Sequence, residues 1–136
     1  MYTCERENRF LIFVQKVTMA FEISVEDNYT SIHLNERIGA FDMQALHDQM
    51  VGELMDTPYF IMEGSDGFEP TKELIIALKA VNESISTLDG TIVFVGFTKN
   101  VNQELEANEM VVIPSFDEAV DYLFMIQLER DLGKDD

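Results

Sequence analysis

The stretch Tyr59-Phe60-Ile61-Met62-Glu63-Gly64-Ser65-Asp66-Gly67-Phe68-Glu69-Pro70-Thr71 decides how this chain is read. Residues 59–62 form a short, continuous apolar run, the mark of a strand buried on both faces. Residues 63–67 supply turn chemistry, and residues 71–88 then carry an apolar stripe at helical spacing. A strand that passes through a loop into a helix is the building unit of α/β proteins, and such loops hold their working residues. This loop has no His, no Cys and no glycine-rich phosphate cradle followed by Lys and Ser or Thr. Its chemistry suits contact rather than reaction, which points to a binding or regulatory domain.

Toward the N-terminus, Phe21, Ile23 and Val25 alternate with Glu22, Ser24 and Glu26, and Thr30, Ile32 and Leu34 alternate with Ser31 and His33. With Asp27-Asn28 as the turn, the two read as an antiparallel hairpin. Met43, Leu46, Met50 and Leu54, with Val51 beside them, predict a first helix over residues 42–55.

Toward the C-terminus, Pro70 suits the first turn of the second helix, where its missing N–H is not needed. Leu74, Leu78, Val81, Ile85 and Leu88 form that helix's buried stripe, and Asp89-Gly90 ends it. Residues 92–96, Ile-Val-Phe-Val-Gly, read as the most buried strand. A short helix over residues 101–107 and a strand over 110–113 follow. Ser115 and Glu118 have the spacing of a capping box for a last helix from Phe116 to about Arg130, with Gly133 beyond it. The order is β-β-α-β-α-β-α-β-α, an α/β fold with a mixed sheet, right-handed crossovers and helices packed against the sheet.

The 136 residues, 46% of them apolar, suffice for one domain with a real core. Residues 1–18 differ from the rest and read either as an N-terminal extension or as an added edge strand through residues 10–14, Phe-Leu-Ile-Phe-Val. Residues 19–132 form the domain and residues 133–136 a tail. Twenty-six acids against nine bases give a net charge of −17, which repels nucleic-acid backbones and anionic lipid surfaces and would steer a basic partner inward. The single cysteine, Cys4, permits no internal disulfide and fits a reducing compartment. The apolar run at 10–14 is too short for a signal-peptide core or a membrane span. The expectation is a soluble, cytoplasmic protein with no membrane insertion.

Reactive chemistry is sparse. His33 and His47 are the only histidines, one on the polar face of a strand and one on a helix, and no ligand-spaced cluster surrounds either. There is no Gly-x-Ser-x-Gly elbow, no P-loop, no dinucleotide fingerprint and no calcium-loop spacing. Cys4 has no His near it in sequence and reads as a free thiol. The expectation is therefore no catalytic residue, no cofactor and no metal: not an enzyme.

Two features invite a partner. Ser65, Asp66, Phe68 and Thr71, with Lys72 next in line, sit at a helix N-terminus. Phe68 reads either as an exposed contact or as a core plug beneath the loop. Residues 122–126, Tyr-Leu-Phe-Met-Ile, make the last helix apolar on nearly every side, so more than one face must be covered. The N-terminal extension could cover it, or a second molecule; homodimerisation is one route.

With this pattern in hand, residues 19–130 resemble a STAS domain, the fold shared by bacterial anti-sigma factor antagonists and sulfate-transporter tails. Leu34-Asn35-Glu36-Arg37-Ile38-Gly39-Ala40 is similar to the family's Leu-Ser-Gly-Arg-Leu-Asp-Ala, with Gly39 in place of the Asp. Residues 92–98 resemble the strand ending Leu-Val-Gly-Val-Ser, Val101 and Leu105 fit the short helix after it, and residues 116–120 look like the closing Leu-Glu-Glu-Ala-Leu. The resemblance implies regulation through protein contact, with an anti-sigma factor, often a serine kinase, as partner. The alternative it implies is a scaffold subunit of a stress-sensing assembly or of a membrane transporter. Phosphorylated members carry Asp-Ser-Ser-Gly where the loop enters the second helix, and the partner kinase modifies the first Ser. Here those positions fall on Thr71-Lys72-Glu73-Leu74, so Lys72 replaces the acceptor, or Thr71 takes its place after a one-residue gap. Thr71 is the candidate phosphoacceptor, and Ser65, Asp66, Phe68, Thr71 and Lys72 are the candidate partner-binding residues.

Overall fold

A computed structural model describes residues 20–65 and 68–134. The elements follow the order β1 (Phe21–Val25), β2 (Thr30–Leu34), α1 (Ala40–Val51), β3 (Tyr59–Gly64), α2 (Lys72–Thr87), β4 (Thr91–Val95), α3 (Lys99–Ala107), β5 (Val111–Val112) and α4 (Phe116–Lys134). The five strands lie side by side in chain order. β1 pairs antiparallel with β2, Phe21 opposite Leu34, and every later pair is parallel. This is the mixed sheet expected from a hairpin followed by strand–helix alternation.

Side-chain alternation along the strands sorts the core into two layers. Ile32, Leu34, Phe60, Met62, Ile92 and Phe94 face one way, into a continuous core closed by residues of α1, α2 and α3. Ile61, Val93 and Val95 face the other way, against Ala119 and Leu123 of α4. β3 and β4 are thus covered on both sides, which is why their sequences lack a polar alternation. Among the described residues, β1 and β2 are covered on one side only. There Glu22, Ser24, Ser31 and His33 border a shallow, open depression of about 370 Å³. His33 Nδ1 lies 3.5 Å from Glu63 Oε1 across the β2–β3 pairing.

Arg130 anchors the far end of α4 to the sheet. Its guanidinium donates to the Tyr59 hydroxyl at 3.3 Å, to Thr91 Oγ1 at 3.2 Å and to the Asp89 carbonyl, and it lies 5.3 Å from the Tyr59 ring centroid. Gln127 Nε2 donates to the Asn28 carbonyl at 2.8 Å. At the other end, Ser115 Oγ accepts from the Glu118 N–H at 3.2 Å and donates to the Glu118 carboxylate at 2.9 Å. The second arm of the expected capping box therefore closes on the hydroxyl.

Several boundaries differ from the sequence expectation for local reasons. The first helix stops at Val51 because Gly52, a poor helix residue, breaks it; Leu54 and Met55 ride on a separate 3-10 turn, Glu53–Asp56. Pro70 lies before α2 rather than in its first turn, since Thr71 is the N-cap. α3 begins two residues early because the Thr98 hydroxyl caps it, accepting from the Val101 N–H at 3.4 Å. Gly133 lies within α4. Val25, Val51 and Leu88, assigned to buried faces by periodicity, are exposed. Leu88 is the C-cap of α2, where the helix has already turned away, and Asp89 follows in the left-handed region at φ 67°.

Among the described residues no helix is long and apolar enough to cross a membrane. Residues 1–18, with Cys4 and the apolar run at 10–14, lie outside the described residues.

Candidate functional site

The three helices α1, α2 and α3 all begin at the C-terminal ends of their parallel strands, so their N-termini share one rim of the sheet. The loop between β3 and α2 is fastened into that rim at several points. The Ser65 N–H donates to the Leu34 carbonyl at 3.2 Å, extending the β2–β3 ladder by one bond, and the Phe68 N–H returns to the Ser65 carbonyl at 2.9 Å. Thr98 Oγ1 contacts Glu69 Oε2 at 3.5 Å, linking the loop to the start of α3.

Beneath the loop lies an aromatic plug. Phe68 is only 5% exposed. Its ring centroid is 6.2 Å from that of Phe97, which in turn is 6.4 Å from that of Phe94. Two glycines make room for Phe97 and its strand. A Cβ on Gly64 would sit 2.8 Å from the Phe97 ring, and Gly96 has φ +86°, where a Cβ would lie 3.0 Å from the Gly64 carbonyl oxygen. Of the two readings of Phe68, the exposed contact is overturned: burial against Phe97 removes apolar ring area from water, and the ring holds the loop from below. Phe68 is a support, not a surface.

Thr71 and Lys72 stand at the entrance of α2, both exposed. Thr71 is extended (φ −70°, ψ 166°), and its Oγ1 accepts from the Leu74 N–H at 3.1 Å, as an N-cap should. Ser65 is half-buried, with Oγ shielded from solvent and without a hydrogen-bond partner among the described residues. Asp66 lies outside the described residues. The structure thus brings Ser65, Phe68 and Thr71 into one loop, and among the described candidates only Thr71 and Lys72 are fully presented.

Two exposed apolar residues that the sequence reading passed over lie near this rim. Phe41, in the first turn of α1, is 88% exposed, and Ile76, in the second turn of α2, is 67% exposed. α1 and α2 pack against each other, so both side chains belong to one helical layer. The signal was present in the spacing. Phe41 is two residues before Met43, and Ile76 two after Leu74, which at 100° per residue puts each nearly opposite its helix's buried stripe.

The described residues contain no group of three or more His, Cys, Asp or Glu placed to hold a metal ion. Tyr29 is the one described group with a clear shift: burial, then the carboxylates of Glu26 and Asp117, hold its phenol above the usual value of 10.0. It lies edge-on to Phe116, away from the loop.

This architecture, with its helix entrance beside a braced loop, is a STAS-type fold. It is similar to the NMR structure of the protein TM1081, with a TM-score of 0.63 and 14% identity over 74% of this chain and 86% of that one. It is also similar to a serine-to-glutamate variant of RsbS from Moorella thermoacetica, with a TM-score of 0.67 and 12% identity over 80% of this chain and 98% of that one. No family model and no curated protein sequence matches the chain.

Proposed function

We propose that this chain is a non-enzymatic regulatory module that docks a partner protein through the α1–α2 end of its helical layer, in the manner of an anti-sigma factor antagonist. The observation that carries the reading is the exposure of Phe41, at 88%, on a helix whose start shares a rim with Thr71 and Lys72. A phenylalanine left almost wholly in water loses roughly 2 kcal/mol of available burial, and aromatic residues are favoured anchors at protein contacts. The braced loop supports the same reading, because a fixed surface loses less ordering entropy on docking. The likeness of fold to RsbS supports a regulatory protein partner in general, and an anti-sigma factor or serine-kinase-like protein is the partner proposed.

Lys72 stands where an ungapped alignment would put the phosphorylated serine, so docking here proceeds without the usual serine switch. Thr71 is the remaining candidate acceptor. A phosphate there would add about 1.5 to 2 negative charges at the N-terminus of α2, where the helix dipole accommodates them but an acidic partner would not.

Capture of partners by the full chain in its native cell, with prey identified by mass spectrometry, tests the reading. The doubly substituted chain Phe41→Asp, Lys72→Glu is expected to lose an anti-sigma factor or kinase-like prey that the parent retains. Turnover of a substrate by the purified chain, or the same prey on both versions, overturns it. Phosphate on Thr71 of the native protein would make docking gated; its absence under every growth condition would make docking constitutive.

A further inference from the structure

α4 closes one side of the sheet with its inner face and leaves its outer face apolar. Phe124, Met125, Leu128 and Leu132 recur along that outer face and are between 45% and 68% exposed. Their spacing, with steps of three, four and four residues from 125 to 132 and from 124 to 128, keeps them on one stripe. Asp121, Glu129 and Asp131 stand exposed around it. A stripe of this kind is unusual on a surface that carries so much charge, and it needs a cover.

We propose that the cover is the chain's own segment at residues 10–14, Phe-Leu-Ile-Phe-Val, docked in cis on the outer face of α4. Three features argue for this occupant. The first is charge. Residues 1–19 hold three of the chain's nine Lys and Arg (Arg6, Arg9 and Lys16) but only two of its 26 acids, so the apolar run is flanked by bases where the α4 stripe is flanked by acids. A second copy of α4 would instead bring the same acids face to face. The second is reach. The segment ends where Ala20 is pinned, its carbonyl accepting from the Asn35 N–H at 2.9 Å. Residues 10–14 lie six to ten positions upstream, a reach of about 20 to 35 Å. The strands from β1 to β3 are about 10 Å apart, and α4 lies one layer above. The third is a route. The open polar strip of Glu22, Ser24, Ser31 and His33 lies on the α4 side of β1 and β2, the face opposite Ile32 and Leu34, so a segment leaving Ala20 can cross to α4 over uncovered sheet among the described residues.

Disulfide trapping in the full chain tests the proposal. In a Cys4→Ser background, one chain carries Ile12→Cys with Leu128→Cys; a control carries Ile12→Cys with Ile76→Cys, an exposed position on the opposite layer. The first pair is expected to form an intramolecular disulfide at least tenfold faster under mild oxidation, with both chains keeping the parent's circular dichroism. Equal rates, or a cross-link joining two chains, overturn the proposal, and the latter would assign the cover to a second copy. As an independent measurement, Phe10→Asp with Phe13→Asp is expected to raise the binding of an apolar fluorescent dye several-fold, and adding Leu128→Asp to reverse most of that rise. Unchanged dye binding in the double variant overturns it as well.

Discussion

The two faces of the sheet are built to different standards. On one, three helices enclose a continuous core in which Phe60, Phe94, Leu46, Leu78 and Leu105 are fully shielded. On the other, a single helix covers β3 and β4 through a smaller cluster, and among the described residues nothing covers that face of the β1–β2 hairpin. The difference teaches where the fold stores its stability and where it leaves surface for contacts. The thick layer fixes the rim from which the three helices start, while the thin layer is held by a few polar tethers around Arg130 and Gln127.

Substitutions that empty the two layers test this contrast most strongly. Phe94→Ala removes a fully buried ring on which Phe97 rests, and is expected to cost about 3–5 kcal/mol in denaturant unfolding. Leu123→Ala, in the thinner layer, is expected near the low end of the Leu→Ala range, about 2–3 kcal/mol, because an outer helix can settle inward. Equal losses would erase the distinction between the layers.

The next effect sharpens the link between the thick layer and the docking rim. Gly64→Ala drives a methyl to within 2.8 Å of the Phe97 ring, which sits between Phe94 and Phe68. The expected loss is about 1–3 kcal/mol, accompanied by faster amide exchange in the loop after Gly64. Unchanged exchange there would mean that the ring shifts without disturbing the loop. Thr71→Ala removes the α2 cap and is expected to cost about 1 kcal/mol, with Thr71→Ser restoring most of it.

The smallest effect belongs to the thin layer. The Tyr29 phenol is held above its unfolded value by burial and by Glu26 and Asp117, so the folded state keeps that proton longer than the unfolded one. The resulting stability is fully present below pH 10 and is lost as pH rises through the folded value. Tyr29→Phe is expected to flatten the fall in unfolding free energy above pH 10, read by denaturant titration at several pH values. A fall that is just as steep in the variant would assign it to other groups.

Much of this architecture was legible in the sequence because its signals are local and periodic. Alternation at Phe21 to Leu34, the double-sided run at Ile92 to Val95 and the spacing of Leu74, Leu78, Val81 and Ile85 each name an element and a face. The misreadings occur where a tertiary contact decides. Phe68 could be a surface or a plug until Phe97, far along the chain, was placed beneath it. Val51 and Leu88 fit a stripe by count, yet both sit where a helix is ending and the layer no longer covers them. The exposed Phe41 and Ile76 carried a readable signal, the angular offset from the buried stripe, that a search for apolar periodicity discards. The Ser65 and Thr71 hydroxyls differ in ways no spacing could show, one shielded and one capping a helix.

The shortness of β5 has a consequence for the protein in concentrated solution. With only Val111 and Val112 in the ladder, that border of the sheet offers little template on which another chain could continue the hydrogen-bonded array. Among the described residues the opposite border is β1, which is longer, but Glu22 and the neighbouring Glu26 place negative charge along it. For the described strands, sheet-to-sheet polymerisation is thereby discouraged at both margins, by brevity at one and by electrostatic repulsion at the other.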